Sequence, residues 1–370
     1  MGNDSRNFRV LTINPGSTST KVALFEGEKV LMQETIEHPA EELARFDKIT
    51  DQLDYRKQAI LDALSRAGQT LEGVDAFSAR SGGITSLEFG AYEINDIMVR
   101  DLTSGEYVQH PASLAALIAL ELQKDYGGTA LVVSDPTTDE FDEVARYTGI
   151  KGIYRHCYAH AMNQKEVGRR YAASQGTRYE DMDLVICHIG GGVSVSAHRK
   201  GRLIETNDIA SGDGPMAPTR SGALPVKDVI DLCFSGAYTQ DEMDKMVLKE
   251  GGFISHLGTS DTREVRERAD AGDKYAALIY DVFCYQVGKA IGSAAAALRK
   301  KPDAILLTGG IAHDQYLVDY LRDMCGWIAP ISVYAGEFEQ EALAHVAMDV
   351  LSGAEKLRVY DGEPVWKERW

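Results

Sequence analysis

The sequence has no unbroken apolar run of the roughly 20 residues that a membrane-spanning helix requires. The opening stretch MGNDSRNFRV has no apolar signal core, and Arg6 breaks the pattern for myristoylation. We therefore expect a cytoplasmic protein with no membrane partner.

Basic residues are scarce relative to acidic ones, with 39 Lys and Arg against 56 Asp and Glu and a net charge of -17. Nucleic acids are bound through clustered basic side chains, so this balance argues against a nucleic-acid partner. A small anionic ligand would have to be held by a few locally placed cations. Each arginine in a glycine-rich context is therefore a candidate.

Cysteines are few, odd in number and widely spaced, without any paired spacing: Cys157, Cys187, Cys233, Cys284 and Cys325. This pattern favours buried, reduced thiols over disulfides or a zinc site. The chain of 370 residues is long for one core and sufficient for two, and its 44% hydrophobic and 26% charged residues are typical of a globular protein.

One N-terminal stretch, VLTINPGSTSTKVALFEGEKV from Val10 to Val30, indicates two strands joined by a polar bend. At this bend Gly16 allows close backbone approach, and four side chains add hydrogen-bond donors and positive charge: Ser17, Thr18, Ser19 and Lys21. The bend is suited to hold a phosphate. The alternative is an exposed β-hairpin whose turn is polar for no functional reason.

A second copy of this pattern lies 174 residues further on, where Asn14 aligns with His188, Gly16 with Gly190 and Gly27 with Gly201. The three glycines from Gly190 to Gly192 weaken a sheet and therefore indicate close approach of the backbone to a ligand. A repeated hairpin at half the chain length predicts two related α/β domains. We expect them to face each other across a cleft that holds a nucleotide.

Two charged residues follow predicted strands of the first half. Arg80 follows a short predicted strand, 74–78, and precedes Ser81-Gly82-Gly83, where a cation could be offered to a ligand; a surface arginine is the alternative. Asp135 follows the apolar strand 129–134, at the sheet edge where ligands bind in α/β domains. Alternatively, Asp135 or Asp139 caps a following helix.

His156 and His160 are four residues apart near the start of a predicted helix, 159–171, so they share a face. Because no third ligand is evident, hydrogen bonding to an anion is favoured over metal binding, and one of the two histidines is expected to be structural. The turn-rich loop 212–222, which contains Arg220 between hydroxyls, is typical of an active-site loop.

The last motif follows a predicted alanine-rich helix, 273–299, and consists of a strand, a glycine pair and a helix from Ala304 to Ala312. Such a backbone can lie against an adenine ring or ribose. Glu337 then precedes a predicted helix, 341–351, that could pack on the first domain.

Six motifs in this order, NPGSTSTK, ARSGG, SDPTTDE, HIGGGVS, TRSG and TGGIA, resemble the acetate kinase family, most of all its butyrate kinase branch. The resemblance covers nearly the whole chain. It implies two duplicated actin-like (ribonuclease H-like) ATPase domains: 1–137 with 338–370 on the carboxylate and phosphoryl side, and 138–337 on the nucleotide side. It also implies a homodimer or a higher homo-oligomer.

The implied reaction is reversible phosphoryl transfer between ATP and a short-chain carboxylate such as butyrate, giving ADP and an acyl phosphate, with Mg²⁺. Electrostatic stabilisation must supply most of the catalysis. The alternatives are an acetate or propionate kinase and an actin-like ATPase that acts as a conformational switch.

The resemblance also implies a role for each motif residue. Those expected to act in catalysis are Arg80, Asp135, His156, His160 and Arg220, with the two arginines holding the carboxylate and the migrating group. Those expected at the transferred phosphate are Asn14, Ser17, Ser19 and Lys21. Those expected at the nucleotide are His188, Gly190, Gly191, Gly192, Gly309, Gly310 and Ile311. Glu337 and Asn14 are expected to hold the metal ion.

Two segments depart from acetate kinases. Tyr154 to His160 keeps the histidine spacing of the family's GFHGTSH stretch with other residues between, and His156 takes the place of the transition-state histidine. At Arg80 the chain goes directly to Ser81-Gly82-Gly83, where acetate kinases have bulky residues. Missing bulk there predicts room for an acid longer than acetate.

Overall fold

The computed structural model describes residues 7–107 and 110–368. Its strands are β1 (Arg9–Pro15), β2 (Ser19–Glu26), β3 (Lys29–Glu37), β4 (Ala76–Arg80), β5 (Ala91–Glu93), β6 (Thr129–Val133), β7 (Asp183–Ile189), β8 (Val193–Arg199), β9 (Arg202–Thr206), β10 (Ala304–Gly309) and β11 (Ile331–Ala335).

The α-helices are α1 (Ala40–Leu43), α2 (Leu53–Arg66), α3 (Asp96–Ser104), α4 (Leu114–Tyr126), α5 (Ala161–Ser174), α6 (Val226–Cys233), α7 (Gln240–Leu248), α8 (Gly252–Leu257), α9 (Thr262–Asp270), α10 (Lys274–Ala297), α11 (Gln315–Cys325) and α12 (Glu339–Leu351). Within the described ranges, no helix is long and apolar enough to cross a membrane.

These elements form two compact units. The first unit comprises the described residues up to Asp139 together with those from Phe338 onward, and the second unit is Glu140–Glu337. The first contains a sheet of strand order β3-β2-β1-β4-β6-β5, and the second a sheet of order β11-β10-β7-β8-β9. Read from the hairpin side, the two orders correspond strand for strand, except that β5 adds an antiparallel edge to the first sheet.

The predicted duplication extends to the register of the hairpins. A shift of 174 residues moves β1 (Arg9–Pro15) onto β7 (Asp183–Ile189) and the start of β2 onto the start of β8. In each copy the first two strands are antiparallel, and the second and third strands pair with one register shift before the glycine turn. In both units the first strand then pairs in parallel with a later strand, β4 or β10.

Helix α2 packs on the first sheet and begins after a break in a longer stretch of charged and apolar residues at helical spacing. The stretch from 41 to 68 divides into α1, one 3-10 turn (Ile49–Gln52) and α2. At the break, the Asp51 carboxylate accepts a hydrogen bond of 3.1 Å from the Lys48 backbone N–H. This contact satisfies an N–H at a helix start and begins a new helical segment.

Helix α10 is the longest element of the second unit and lies where the alanine-rich pattern predicts it. Its N-cap Asp273 accepts hydrogen bonds from the N–H groups of Tyr275 and Ala276, both at 3.0 Å. Its buried residues pack against the apolar face of β8, which carries Val193, Val195 and Ala197. The buried-thiol prediction holds for four of the five cysteines, whereas Cys233 on α6 is exposed.

Candidate active site

The polar turn of the first unit is held from beneath by Arg56, a fully buried residue of α2. Its guanidinium donates to the backbone oxygens of Gly16 at 3.0 Å, Ser17 at 3.3 Å and Ser19 at 3.1 Å. It also donates to the Thr20 hydroxyl at 3.1 Å. Burial lowers the pKa of this guanidinium, which indicates that the cation is held away from solvent by its backbone partners.

The carboxyl ends of β1, β4 and β6 bring four polar side chains together. Arg80 Nε and Nη2 each lie 3.0 Å from Asp135 Oδ2, and Arg80 Nη1 lies 3.4 Å from Asn14 Oδ1. Asn14 Nδ2 donates to Glu339 Oε2 at 2.9 Å. Because these strands are parallel, their ends share one edge of the sheet, where ligands bind in open α/β folds. Three predicted site residues are thus neighbours, and Glu339 joins them.

The alternative role for Asp135 and Asp139, the capping of a following helix, is wrong. The next regular element after β6 is one 3-10 turn, Glu143–Ala145, whose N-cap is Asp142 with no side-chain cap bond. Asp135 is buried, and its N–H donates to the Ser81 hydroxyl at 2.9 Å while its carboxylate meets Arg80.

The glycine after Arg80-Ser81 is explained by packing. A Cβ added to Gly82 would lie 2.6 Å from the Ala112 Cβ, so only glycine allows these segments to meet. Ala112 therefore fills the space that the sequence suggested was open. His110 lies close by, with Nε2 3.5 Å from the Ser17 hydroxyl, while Nδ1 accepts from the Ala112 N–H at 3.1 Å. Burial, reinforced by Arg80 and Arg56, lowers the pKa of His110.

The predicted phosphate-binding side chains of the turn are accessible to different degrees. Ser17 is exposed, whereas Ser19 and Lys21 are half-buried and Asn14 is buried. The turn therefore presents hydroxyl groups to solvent above the backbone oxygens that Arg56 binds.

In the second unit, two predicted histidines stack on each other. The rings of His160 and His188 have centroids 3.8 Å apart and planes inclined by 12°. His188 is near the end of β7, and His160 immediately precedes α5. His188 Nδ1 lies 3.2 Å from Asn163 Oδ1, and His160 Nδ1 lies 2.9 Å from the Ser194 hydroxyl.

Arg220 lies beside these rings, against Gly192. A Cβ added to Gly192 would lie 2.1 Å from Arg220 Nη1 and 3.4 Å from His160 Cε1. A Cβ at Gly190 would meet His188 Nε2 at 3.1 Å, whereas one at Gly191 would meet nothing within 4 Å. Glycine at position 192 is therefore what allows the guanidinium to occupy this place.

The Arg220 guanidinium has no hydrogen-bond or ion-pair partner within residues 7–107 and 110–368. Burial lowers its pKa, and no neighbouring carboxylate offsets that effect. An incompletely solvated cation without a partner gains most from an anionic ligand. Together with two imidazoles, this arrangement can bind and stabilise an anion such as a phosphoryl group.

The two glycines at the end of β10, Gly309 and Gly310, have different structural roles. Gly309 has φ +89°, and a Cβ there would lie 2.4 Å from the Ile189 backbone oxygen, so this glycine permits close packing of β10 on β7. Gly310 and Ile311 line a cleft of about 620 Å³. The other lining residues are Thr262, Arg263, Arg266, Glu267, Asp270, Tyr280, His313 and Asp314. The Arg266 guanidinium covers the Tyr316 ring at 4.1 Å from its centroid.

One predicted residue, His156, lies apart from these groups. His156 is exposed, and its ring faces that of Tyr158 with centroids 6.2 Å apart. Glu337 belongs to the second unit, and the carboxylate that contacts Asn14 is that of Glu339, two residues further on. Sequence alone does not favour Glu339, because the run GEFEQE contains three carboxylates within six residues.

Comparison with known proteins identifies one family. The model of the Acetokinase family matches residues 143–330. A protein named probable butyrate kinase from Clostridium botulinum is 43% identical over 96% of this chain and 100% of its own length. Butyrate kinase 2 from Clostridium acetobutylicum is 41% identical over 95% of this chain and 99% of its own length.

Solved structures show the same fold at low sequence identity. The acetate kinase of Porphyromonas gingivalis superimposes with a TM-score of 0.75 at 20% identity, covering 93% of this chain and all of that one. A propionate kinase from Francisella tularensis superimposes with a TM-score of 0.73 at 19% identity, covering 92% of this chain and 98% of that one. The predicted actin-like, two-domain α/β fold is confirmed. The chain belongs to the acetokinase family and, within it, to the butyrate kinases.

Proposed function

We propose that the protein catalyses the reversible, ATP-dependent phosphorylation of butyrate, giving butyryl phosphate and ADP. It is a phosphotransferase with a carboxyl group as acceptor. The observation that carries the proposed site is the partially buried Arg220 guanidinium, which lies against Gly192 beside two stacked histidines. A phosphoryl group in transfer carries charge on its oxygens, and such a cation stabilises that charge in the transition state.

The second unit supplies the phosphoryl-binding groups in this proposal. Arg220 donates to the oxygens of the migrating group, and His160 adds a hydrogen-bond donor beside it. The Gly190 N–H donates to the Gly192 carbonyl oxygen at 3.0 Å and closes the turn, and Gly191 brings its backbone N–H close to the nucleotide phosphates. The cleft lined by Gly310, Ile311 and the nearby arginines receives the adenosine, whose ring can stack against a guanidinium.

The first unit supplies the carboxylate-binding groups. Asp135 holds Arg80 by two contacts of 3.0 Å and thereby fixes the direction of its guanidinium fork. An oriented fork binds a carboxylate more effectively than a mobile one, because less side-chain freedom is lost on binding. The hydroxyls of Ser17 and Ser19 and the ammonium of Lys21 are proposed to contact the transferred phosphate.

Mg²⁺ is proposed as the cofactor, held by the Glu339 carboxylate beside Asn14. Glu339 Oε2 accepts a hydrogen bond of 2.9 Å from Asn14 Nδ2, and carboxylate oxygens are ligands that Mg²⁺ prefers together with phosphate oxygens from the substrate. When bound, the ion would neutralise charge on the nucleotide phosphates. Glu337 remains a predicted second ligand.

Butyrate rather than acetate is proposed as the acid because the relatives named above are butyrate kinases. The glycine at position 82 does not support the choice, since Ala112 occupies that space. Each buried methylene contributes about 0.8 kcal/mol, so two of them should favour butyrate over acetate by a factor on the order of ten in kcat/KM.

The test is to measure kcat/KM for acetate, propionate, butyrate and isobutyrate under one set of conditions, with the acyl phosphate trapped by hydroxylamine. Butyrate or isobutyrate should give the highest value. If acetate is equal or better, the protein is an acetate kinase. Phosphate release without hydroxamate for every acid would instead make it an ATPase.

A further inference from the structure

A buried row of polar side chains runs behind His160, along the face of β8 that α5 covers. Ser194, Ser196 and His198 alternate with apolar residues on this strand and are fully buried. Gln164 on α5 and Tyr179 are buried against them. Buried polar groups require hydrogen-bond partners, so this face is stable only if the row is satisfied internally.

The side-chain amide of Gln164 fixes the direction of the hydrogen bonds along the row. Its Nε2 donates to the Ser194 backbone oxygen at 3.0 Å and lies 3.4 Å from the Ile186 backbone oxygen. A carbonyl oxygen only accepts, so the NH₂ end of the amide must lie here and Oε1 at the other end. Oε1 is 3.2 Å from His198 Nε2, which must therefore carry the proton in that contact.

The other end of the row, at His198 and Tyr179, is consistent with this direction of hydrogen bonding. With its proton on Nε2, His198 accepts at Nδ1 from the Tyr179 hydroxyl, 2.6 Å away. Burial, reinforced by Lys165, holds the pKa of His198 well below its usual range, and burial holds that of Tyr179 well above. Both groups are therefore neutral, as the row requires.

The end of the row at Ser194 determines which ring nitrogen of His160 carries the proton. The Ser194 hydroxyl accepts from Gln164 Nε2 at 3.0 Å, and the only acceptor for its own proton among the described residues is His160 Nδ1, at 2.9 Å. The His160 backbone N–H, 3.3 Å away, also points at the Ser194 oxygen. A histidine that accepts at Nδ1 carries its single neutral proton on Nε2.

We propose that Ser194 and Gln164 are positioning residues that hold neutral His160 in the tautomer with its proton on Nε2. In this form the ring offers an N–H donor to an anion beside Gly192 and Arg220. The other neutral tautomer would present a lone pair there and repel a phosphoryl oxygen. The catalytic importance of this donor rests on the proposed function, whereas the tautomer itself does not.

The test compares two serine-to-alanine variants on one strand face. Ser194→Ala removes the donor to His160 Nδ1. Ser196→Ala removes an equally buried hydroxyl that donates to Thr206 Oγ1 at 2.7 Å and contacts neither Gln164 nor His160, and it is the matched control. The tautomer of His160 is measured by ¹⁵N NMR on histidine-labelled protein, with the signal assigned by its loss in His160→Asn.

The wild type and Ser196→Ala should show His160 protonated at Nε2, and Ser194→Ala a mixture of both tautomers. Ser194→Ala should also lower kcat about tenfold, as expected for one lost hydrogen bond, with KM for ATP unchanged, and Ser194→Thr should restore it. A wild-type His160 protonated at Nδ1, or no tautomer change in Ser194→Ala, would overturn the inference. A changed tautomer with unchanged kcat would instead remove His160 from the proposed catalytic mechanism.

Discussion

The two duplicated hairpins have the same strand pairing, yet their nearest arginines serve different purposes. Beneath the turn of the first unit, Arg56 is fully buried and donates to three backbone oxygens. Beside the turn of the second unit, Arg220 lies against Gly192 with no partner in the described part of the chain. One guanidinium stabilises a loop, and the other is available to a ligand.

The difference follows from the composition of the turns. The first turn is built from Pro15, Gly16 and hydroxyl residues, and its backbone oxygens need buried donors. The second turn consists of three glycines, whose missing side chains leave room for a cation at the surface of the loop. The same supersecondary unit can therefore hold an arginine that stabilises its own turn or one that is available to a ligand.

The largest expected effect is on Arg220. Arg220→Ala should lower kcat by a factor on the order of a thousand, equivalent to about 4 kcal/mol, because the lost contact strengthens as the transition state forms. Arg220→Lys, which keeps the charge without the fork, is the matched variant and should recover only part of the rate. The circular dichroism spectrum and the melting temperature should match those of the wild type. If folded structure and activity are lost together, Arg220 is a structural residue.

Replacing Arg56 should affect stability instead. Arg56→Met should lower the free energy of unfolding by about 3 kcal/mol or more, since each buried acceptor without a donor costs about 1–3 kcal/mol. Urea denaturation of the wild type and the variant measures this difference. A variant that unfolds at the same urea concentration but is inactive would show that Arg56 acts on the ligand.

Alanine variants of two adjacent glycines in the second turn test the contact between Gly192 and Arg220. Gly192→Ala should displace the flexible end of Arg220, so kcat should fall by up to about a hundredfold with little change in stability. Gly191→Ala meets no atom within 4 Å and should keep the wild-type rate. Equal rates for the two variants would contradict the contact between Gly192 and Arg220.

The smallest expected effect is a pH dependence in the first unit. Burial, followed by the charge of Arg56, lowers the pKa of His38 from 6.5 to about 4. Its Nε2 lies 2.8 Å from the Thr20 hydroxyl, which Arg56 also contacts. The stability that neutral His38 contributes is complete above pH 6.5 and is lost as the pH falls toward 4, because only the unfolded chain takes up the proton in that interval.

Unfolding free energies at pH 7 and pH 5 measure this contribution. The wild type should lose more stability between these values than His38→Gln, which cannot titrate. If the two proteins lose the same amount, His38 is not coupled to the turn.

Sequence patterns identified those residues of the candidate site that carry their own local signal. The two glycine turns, Arg80, Asp135 and Arg220 all stand out because glycine or hydroxyl residues surround them. The 174-residue repeat predicted the two sheets, since hairpin register is set by local alternation of side chains.

The missed residues depend on contacts between distant segments. Arg56 lies in a charged helical pattern, where it resembles a surface residue, and meets Gly16 across 40 positions of the chain. The alternation VSVSAH in β8 is typical of a strand with one solvent-exposed face, but α5 covers that face. His156 and His160 could not be ranked because their spacing is the same whichever side chain turns inward.

In the proposed reaction, the phosphoryl group of ATP is transferred to a carboxylate and not to water. The most direct measurement quantifies ADP and butyryl hydroxamate in the same reaction of the wild-type enzyme with ATP, Mg²⁺, butyrate and hydroxylamine. We expect one hydroxamate for each ADP, and almost no ADP when butyrate is omitted. ADP in large excess over hydroxamate, at a rate independent of butyrate, would contradict it.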